Sequence, residues 1–358
     1  MYSKGFIVFE LGCDIVTILS DLISIESETG NEKALCDKLF DTLKSYDGEL
    51  IRVKNSLLFN LDLKKDKRVA LIGHIDTVPV ANSSTTPEIK DDELWGRGSC
   101  DMKSGLAVML KVIDDISIGK IKPKQNLSFV FYENEEGALP NGINFLLDNN
   151  YLMDIDFAFV LEPTQSKYSV GCLGSLAVKK DVYGISAHSA NPKKGKNALI
   201  EATEIVMSVE KMNKLINKDS SIDGLDYYET VNITQLGTTT ETFNVIPDHV
   251  EIVANFRFSP KRSSNEALEY LLEFLGQDNI TILDKADSCY IGDSGNDFLL
   301  PNIDREIMQA WTDIAQLNKA GIPSINYGAG SIKYAHKPDE RISIDELTEF
   351  YKSLVTHL

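Results

Sequence analysis

Apolar runs and helix-period segments alternate along the first half of the chain. Three segments, RVALIGHIDTV, NLSFVFYENEE and DFAFVLEPT, contain a continuous apolar run, and each run predicts a strand that is buried on both faces. Two segments between them, SGLAVMLKVIDDI and NGINFLLDNN, carry apolar residues at helical spacing. This alternation is typical of an α/β fold in which helices cover a mainly parallel sheet.

Capping signals predict where further helices begin. In a capping box, a Ser or Thr side chain and a Glu three residues later each accept a hydrogen bond from the other's backbone N–H. Three pairs have this spacing: Thr29 with Glu32, Ser263 with Glu266, and Ser343 with Glu346. We also predict a single helix over DREIMQAWTDIAQLNKAG, followed by a strand at IPSINYGAG.

The pattern changes at about Ser175 and returns after about Tyr290. Between them, SLAVKKDVYGIS, TVNITQLGTT and HVEIVANFRFSP predict a sheet with one packed face and one wetter face, interrupted by two helices. The length of 358 residues exceeds the roughly 250–300 residues at which a single core stops growing. We therefore predict an α/β domain from residues 1–174 and 290–358, interrupted by a smaller α+β domain at residues 175–289.

Charge and cysteine content narrow the class of protein. The net charge of −18 argues against a nucleic-acid binder, because phosphate neutralisation requires a basic surface. The five cysteines are scattered and lack a CxxC pair, so neither a disulfide framework nor a thiolate zinc site is indicated. No targeting segment and no apolar run of about 20 residues is evident. We expect a cytoplasmic protein with no membrane partner.

Imidazole and carboxylate groups follow the predicted buried strands. In open α/β sheets the ligand site lies outside the carboxyl ends of the strands. The residues at these ends are His74, Asp76, Glu135, Glu136 and Glu162. Two further residues belong with them: Asp101, before a predicted helix, and His336, in a late loop. Zinc accepts nitrogen from His and oxygen from carboxylates, and one Asp can bridge two ions. The set therefore indicates a site for two zinc ions.

Each of these residues, taken alone, also has an ordinary structural explanation. Asp101 could cap the helix that follows it, and Glu162 could face solvent in a turn. The combination on one edge of the sheet favours a metal site. If the chain is still extended at Glu135 and Glu136, their side chains point in opposite directions, so one would bind metal and the other would face the substrate.

Several motifs together resemble a known family. They are GHIDTV, GRGSCDMKSG, NEEG, LEPT, GISAHSANP, NVIPDHVEIVANFRFSP and a late AHK, in this order from about Asp21 to the C-terminus. The chain resembles the dinuclear-zinc amidohydrolases that include succinyl-diaminopimelate desuccinylase, acetylornithine deacetylase, aminoacylases and related carboxypeptidases. The resemblance implies a catalytic domain interrupted by a smaller lid domain through which two copies form a homodimer.

The resemblance also implies a role for each motif residue. His74 and Glu162 would hold one zinc ion, Glu136 and His336 the other, and Asp101 would bridge them; Co²⁺ could replace zinc. Asp76 would orient His74, and Glu135 would be the general base. His188, in the lid domain, would stabilise the oxyanion in the partner's active site. Asn244, Arg257 and Ser175 would contact the substrate.

The substrate implied by the resemblance is a small N-acyl amino acid. LNKAGIPSINYGAG and AHKPDE favour removal of the succinyl group from N-succinyl-L,L-diaminopimelate, a step of lysine biosynthesis. Many desuccinylases carry Arg-Arg-Gly-Ser where this chain has Cys172, Leu173, Gly174 and Ser175. Deacetylation of N-acetylornithine or hydrolysis of dipeptides therefore stays open, as does an inactive relative that binds an amino-acid derivative.

Overall fold

The computed structural model of the chain describes residues 12–80, 84–216 and 221–358. Our expectation that the N-terminus lacks a targeting segment concerns mainly residues 1–11, which lie outside the described residues. The chain forms two compact units, which we call unit 1 and unit 2. Unit 1 comprises Met1–Val170, Ile291–Arg305 and Gln316–Leu358; unit 2 comprises Gly171–Tyr290 and Glu306–Ala315.

The described residues form both helices and strands. The helices are α1 (Ile15–Ile23), α2 (Lys33–Leu43), α3 (Lys103–Ser117), α4 (Gly142–Asp148), α5 (Ala198–Ile216), α6 (Ser264–Leu275), α7 (Ile314–Lys319) and α8 (Ile344–Val355). The strands are β1 (Glu49–Val53), β2 (Ser56–Leu61), β3 (Arg68–His74), β4 (Glu88–Lys90), β5 (Glu93–Trp95), β6 (Asn126–Tyr132), β7 (Phe157–Val160), β8 (Tyr168–Cys172), β9 (Gly174–Tyr183), β10 (Ala187–His188), β11 (Ser221–Ile222), β12 (Leu225–Asp226), β13 (Thr230–Gly237), β14 (Val245–Ile246), β15 (His249–Phe258), β16 (Ile280–Ala286), β17 (Cys289–Tyr290), β18 (Arg305–Met308), β19 (Ser324–Asn326) and β20 (Arg341–Ser343).

Unit 1 contains a mixed sheet with a parallel centre. The strand order is β1-β2-β6-β3-β7-β19-β8. Strands β6, β3, β7 and β19 run parallel, while β1 pairs antiparallel with β2, β2 with β6, and β8 with β19. Every residue of β6 and β7 is buried, as the continuous apolar runs predict. The predicted α/β fold class is therefore confirmed.

Unit 2 contains a four-stranded antiparallel sheet in the order β13-β15-β9-β16. Its alternation of buried and partly exposed residues follows the period of two that is typical of a half-buried sheet. Leu176, Val178, Ala254 and Phe256 lie on the buried face, in one cluster with residues of α5 and α6. The sequence pattern predicts this alternation because only one face of each strand is packed.

Two local predictions need correction. Helix α2 begins after Glu32, whose side chain accepts a hydrogen bond from the N–H of Gly30 rather than from Thr29. The hydroxyl of Thr29 donates instead to Asp76, so Thr29 and Glu32 form no capping box. The predicted single helix over DREIMQAWTDIAQLNKAG is also wrong, because its first part is the strand β18. In unit 2 the carbonyl of Met308, the last residue of β18, accepts a hydrogen bond from the N–H of Leu173. This contact with a distant segment explains why β18 is extended and not helical.

The other two capping signals do mark helix starts. Ser263 and Glu266 form the complete capping box at α6. Ser343 caps α8, but the carboxylate of Glu346 accepts a hydrogen bond from the N–H of Gly330. None of the helices within residues 12–80, 84–216 and 221–358 combines the length and apolar character that crossing a bilayer requires.

Candidate metal centre

Two glycines bring α3 close to the ends of the central strands in unit 1. A Cβ atom at Gly73 in β3 would lie 2.8 Å from the Cδ2 atom of Leu106 in α3. A Cβ atom at Gly105 would lie 2.7 Å from the Cβ atom of Leu161, directly after β7. This close approach places Asp101, which precedes α3, beside the C-terminal ends of β3 and β7.

His74 is the last residue of β3 and is almost completely buried. Its Nδ1 atom lies 2.9 Å from the backbone carbonyl oxygen of Asp76. A carbonyl can only accept a hydrogen bond, so Nδ1 carries the proton and Nε2 of the neutral ring presents a lone pair. That Nε2 atom lies 3.2 Å from Oδ1 of Asp101 and 4.0 Å from Oε1 of Glu162.

A lone pair facing two carboxylates requires a cation between them. Without an ion, a proton fills this role: burial acts to lower the pKa of His74, but hydrogen bonds to Asp101 and Asp76 raise it well above its usual range. One donor atom from each of His74, Asp101 and Glu162 lies within 4.8 Å of the others. Two carboxylates and one imidazole are a donor set that zinc accepts, so these residues fit a metal ion.

Asp76 organises the acidic turn after β6. Its Oδ1 atom accepts a hydrogen bond from the N–H of Glu135 at 3.0 Å, and its Oδ2 atom accepts one from the N–H of Glu136 at 3.0 Å. The hydroxyl of Thr29 donates to the same Oδ2 atom at 2.9 Å. Burial acts to raise the pKa of Asp76, but His74 and the two N–H groups lower it. The main partner of the His74 Nδ1 atom is the backbone carbonyl of Asp76, because Oδ1 of the Asp76 carboxylate lies farther from Nδ1, at 3.5 Å.

The acidic turn does not follow the strand alternation considered from the sequence. Strand β6 ends at Tyr132, and Asn134 has a left-handed φ of 64°. The chain is therefore no longer extended at Glu135 and Glu136. One carboxylate oxygen from each lies within 4.8 Å of a ring nitrogen of His74 and of the other. Their roles thus depend on the turn and on Asp76, not on the pleat of a strand.

His336 completes a second donor group. Its Nε2 atom lies 2.8 Å from Oε1 of Glu136 and 3.3 Å from Oδ2 of Asp101. Hydrogen bonds to Asp101 and Glu136 raise the pKa of His336 to about 10. Its φ of 63° lies in the left-handed region, a strained backbone conformation that is concentrated at functional sites. Asp101 directs one oxygen to each histidine, so the two donor groups share it.

The sequence interpretation missed the residues that hold Asp101. Glu340 is buried, and its Oε1 atom accepts hydrogen bonds from the N–H groups of Cys100 and Asp101, both at 3.1 Å. Its Oε2 atom pairs with Nη1 of buried Arg97 at 2.7 Å. The available signal was the acid that ends AHKPDE. Its partners could not be identified, because they lie about 240 positions away.

The four predicted lid residues lie in unit 2. His188 is exposed and pairs with Val245 across β10 and β14, which brings it near exposed Asn244. Ser175 and Arg257 face each other across β9 and β15. Ser175 is buried and donates to Oδ2 of Asp284 at 2.6 Å, while Nε of Arg257 donates to Oδ1 of Asn255 at 3.1 Å. The structure thus groups these four residues into two pairs.

Unit 2 also carries a further cluster of donor atoms on the wetter face of its sheet. Asp181, His249 and Glu251 have donor atoms within 4.8 Å of one another. The ammonium of Lys179 lies 3.4 Å from Oδ2 of Asp181 and 2.8 Å from Oε1 of Glu251. A cation from the chain itself therefore already neutralises these carboxylates.

Comparison with known proteins agrees with this fold. Residues 70–358 match the profile of peptidase family M20/M25/M40. A succinyl-diaminopimelate desuccinylase of Corynebacterium glutamicum is 34% identical, and the match covers 96% of both chains. A tripeptidase of Staphylococcus aureus has a TM-score of 0.76 at 22% identity, with 96% of both chains covered.

A second solved structure shares the fold. A Bacillus subtilis protein described as a dinuclear metal binding peptidase from the M20 family has a TM-score of 0.66 at 14% identity, with 96% of both chains covered. At such identities the structural likeness establishes the fold alone. The family profile and the 34% identical relative carry the assignment further: this chain belongs to peptidase family M20/M25/M40.

Proposed function

We propose that the protein is a zinc-dependent amide hydrolase that removes the succinyl group from N-succinyl-L,L-diaminopimelate in lysine biosynthesis. The identity to a succinyl-diaminopimelate desuccinylase over 96% of both chains supports this substrate. The observation that carries the chemistry is the position of Asp101, whose two carboxylate oxygens face His74 and His336 at 3.2 and 3.3 Å. A carboxylate shared in this way suits a site for two ions.

The same donor groups suggest which residues hold each ion. We assign His74 and Glu162 to one ion, His336 and Glu136 to the other, and Asp101 to both. Two zinc ions held there would supply Lewis acidity, which lowers the pKa of water and polarises the amide carbonyl. Asp76 keeps the proton of His74 on Nδ1 through its backbone carbonyl, so that Nε2 stays available as a ligand.

Glu135 is the candidate general base of the reaction. Its backbone N–H is fixed by Asp76, and its side chain lies at the edge of the same donor cluster. We propose that Glu135 takes a proton from the attacking water and later returns it to the leaving amine. Glu136 is then left to bind metal, in contact with His336 at 2.8 Å.

The remaining predicted contacts belong to unit 2. We propose that two copies of the chain pair through this unit in the cytoplasm, and that His188 donates a hydrogen bond to the developing oxyanion in the partner's active site. Its exposure leaves the imidazole available for such a contact. Asn244 and Arg257 are the candidates for the carboxylates of the substrate. Ser175 is a weaker candidate, since its hydroxyl already donates to Asp284.

The residues at the positions of the arginine pair of many desuccinylases bear on which substrate is recognised. Cys172 and Leu173 are both buried, and neither side chain can supply a cation to a substrate carboxylate. If the protein is a desuccinylase, another cation must meet the succinyl carboxylate. Arg257 is a candidate, because its Nε donates to the amide oxygen of Asn255 and its guanidinium makes no hydrogen bond to a carboxylate of the described residues.

Parallel hydrolysis assays test this proposal. Zinc-loaded protein is assayed with N-succinyl-L,L-diaminopimelate and with N-acetylornithine, beside a chelator-treated control. We expect zinc-dependent hydrolysis with a higher kcat/KM for the succinyl substrate. A higher kcat/KM for the acetyl substrate would contradict the desuccinylase assignment while retaining the metal mechanism. Zinc binding without hydrolysis of either compound or of dipeptides would contradict both the desuccinylase assignment and the metal mechanism.

A further inference from the structure

Two cysteines of unit 2 face each other across a pair of antiparallel strands. Cys172 ends β8, Cys289 begins β17, and the two residues are direct partners in the register. Their Sγ atoms are 3.8 Å apart. The residues are separated by 117 positions in sequence, so only the fold brings the thiols together.

The geometry of this pair suits a disulfide. Directly opposed residues of antiparallel strands have Cα atoms about 4.5–5.5 Å apart. Disulfides join residues whose Cα atoms are usually about 4.4–6.8 Å apart. Forming the bond therefore requires the two Sγ atoms to move closer than 3.8 Å, while the Cα atoms of the two strands can keep their spacing.

The surroundings of the two thiols favour reaction at this pair. Cys289 is partly exposed, which gives a small oxidant access, whereas Cys172 is buried. Burial acts to raise the pKa of Cys172, but hydrogen bonds with the Cys289 thiol and with Thr312 lower it. By contrast, burial raises the pKa of the Cys36 thiol to about 11. A thiol with a raised pKa is a poor nucleophile at neutral pH.

We propose that Cys172 and Cys289 form a site of oxidative modification, at which a peroxide converts the two thiols into an intramolecular disulfide. The Cys289 thiolate attacks one oxygen of hydrogen peroxide, the O–O bond breaks, and water leaves with a proton from solvent. The Cys172 thiolate then attacks the Cys289 sulfur, the S–O bond breaks, and the leaving hydroxide takes a second proton from solvent to form water. The two sulfur atoms lose two electrons and the peroxide gains them.

The disulfide has a defined effect on unit 2. Both cysteines adjoin the positions where the chain passes between the units, at Val170 and Gly171 and at Tyr290 and Ile291. The bond would close a loop that contains most of unit 2. Such a cross-link reduces the conformational entropy of the unfolded chain and thereby increases the free energy of unfolding. The increase is larger for longer loops.

Mass spectrometry of the peroxide-treated full chain tests the modification directly. We expect the intact mass to fall by two hydrogen atoms, and a digest to contain one cross-linked peptide pair that joins Cys172 and Cys289. Reduction with dithiothreitol should restore the original mass. Cys172→Ser and Cys289→Ser should each abolish the mass loss, while the matched control Cys36→Ser should retain it.

Thermal unfolding provides a second measurement that requires no cysteine variant. Trp311 lies in unit 2 and its indole N–H donates to the carbonyl of Asp287, so in a Trp95→Phe background its fluorescence follows this unit. We expect the oxidised chain to unfold at a temperature higher by on the order of 10 °C. Peroxide treatment that leaves both thiols open to alkylation, or that yields only sulfinic acid at Cys289, would overturn the proposal.

Discussion

Substitution of Glu340 by Gln tests whether the buried ion pair with Arg97 holds Asp101 in place. Both side chains are buried, and Oε2 of Glu340 lies 2.7 Å from Nη1 of Arg97. Removing one charge of a buried pair leaves the other uncompensated, which typically costs about 3–5 kcal/mol. Because Gln keeps an oxygen that can accept from the N–H groups of Cys100 and Asp101, we expect the lower end, a loss of about 3 kcal/mol in the free energy of unfolding.

The effect should extend to the metal centre. Glu340 accepts hydrogen bonds from the loop that carries Asp101, so its loss should loosen the ligand that the two donor groups share. Substitution of groups that orient metal ligands typically weakens metal affinity by about 10–100-fold. We expect Glu340→Gln to weaken zinc binding within this range.

Two assays separate these effects. Trp95 lies two residues before Arg97, so in a Trp311→Phe background its fluorescence during urea unfolding follows the affected region of unit 1. Competition with a chromogenic chelator gives the zinc affinity. The control is Asp339→Asn, which removes the neighbouring acid, whose side chain is 53% exposed. An unchanged urea midpoint and zinc affinity in Glu340→Gln would show that the ion pair with Arg97 does not hold Asp101 in place.

Three further predictions concern the donor groups and unit 2. Glu135→Gln should abolish turnover while two zinc ions per chain remain bound, as metal analysis would reveal; retained turnover would exclude Glu135 as the base. His188→Ala should lower kcat at least about 10²-fold with unchanged zinc content, since loss of an oxyanion donor typically costs this much; an unchanged kcat would exclude that role. In the metal-free protein, the raised pKa of His336 stabilises the fold fully below about pH 6.5, and this contribution should be lost between there and the folded value of about 10. Urea midpoints measured across this pH range should therefore fall less in His336→Gln, and parallel curves for both proteins would contradict the assignment.

Local sequence patterns are sufficient to predict the central strands and the helices whose capping partners are close in sequence. Continuous apolar runs predict β3, β6 and β7, because a strand covered on both faces needs apolar residues at every position. Ser263 and Glu266 predict the start of α6 because both partners lie within one helical turn. The polar residues that follow these strands likewise identify the candidate metal centre, since the ends of parallel strands meet at one edge of the sheet.

Other features depend on partners that are distant in sequence and become visible only in the folded chain. Thr29 has the sequence of a cap but donates to Asp76, 47 positions away. The turn at Glu135 and Glu136 is held by Asp76, Asp101 is held by Glu340, and Cys172 meets Cys289 across 117 positions. Local periodicity reports only which face of an element is buried, whereas these contacts depend on which elements the fold places side by side.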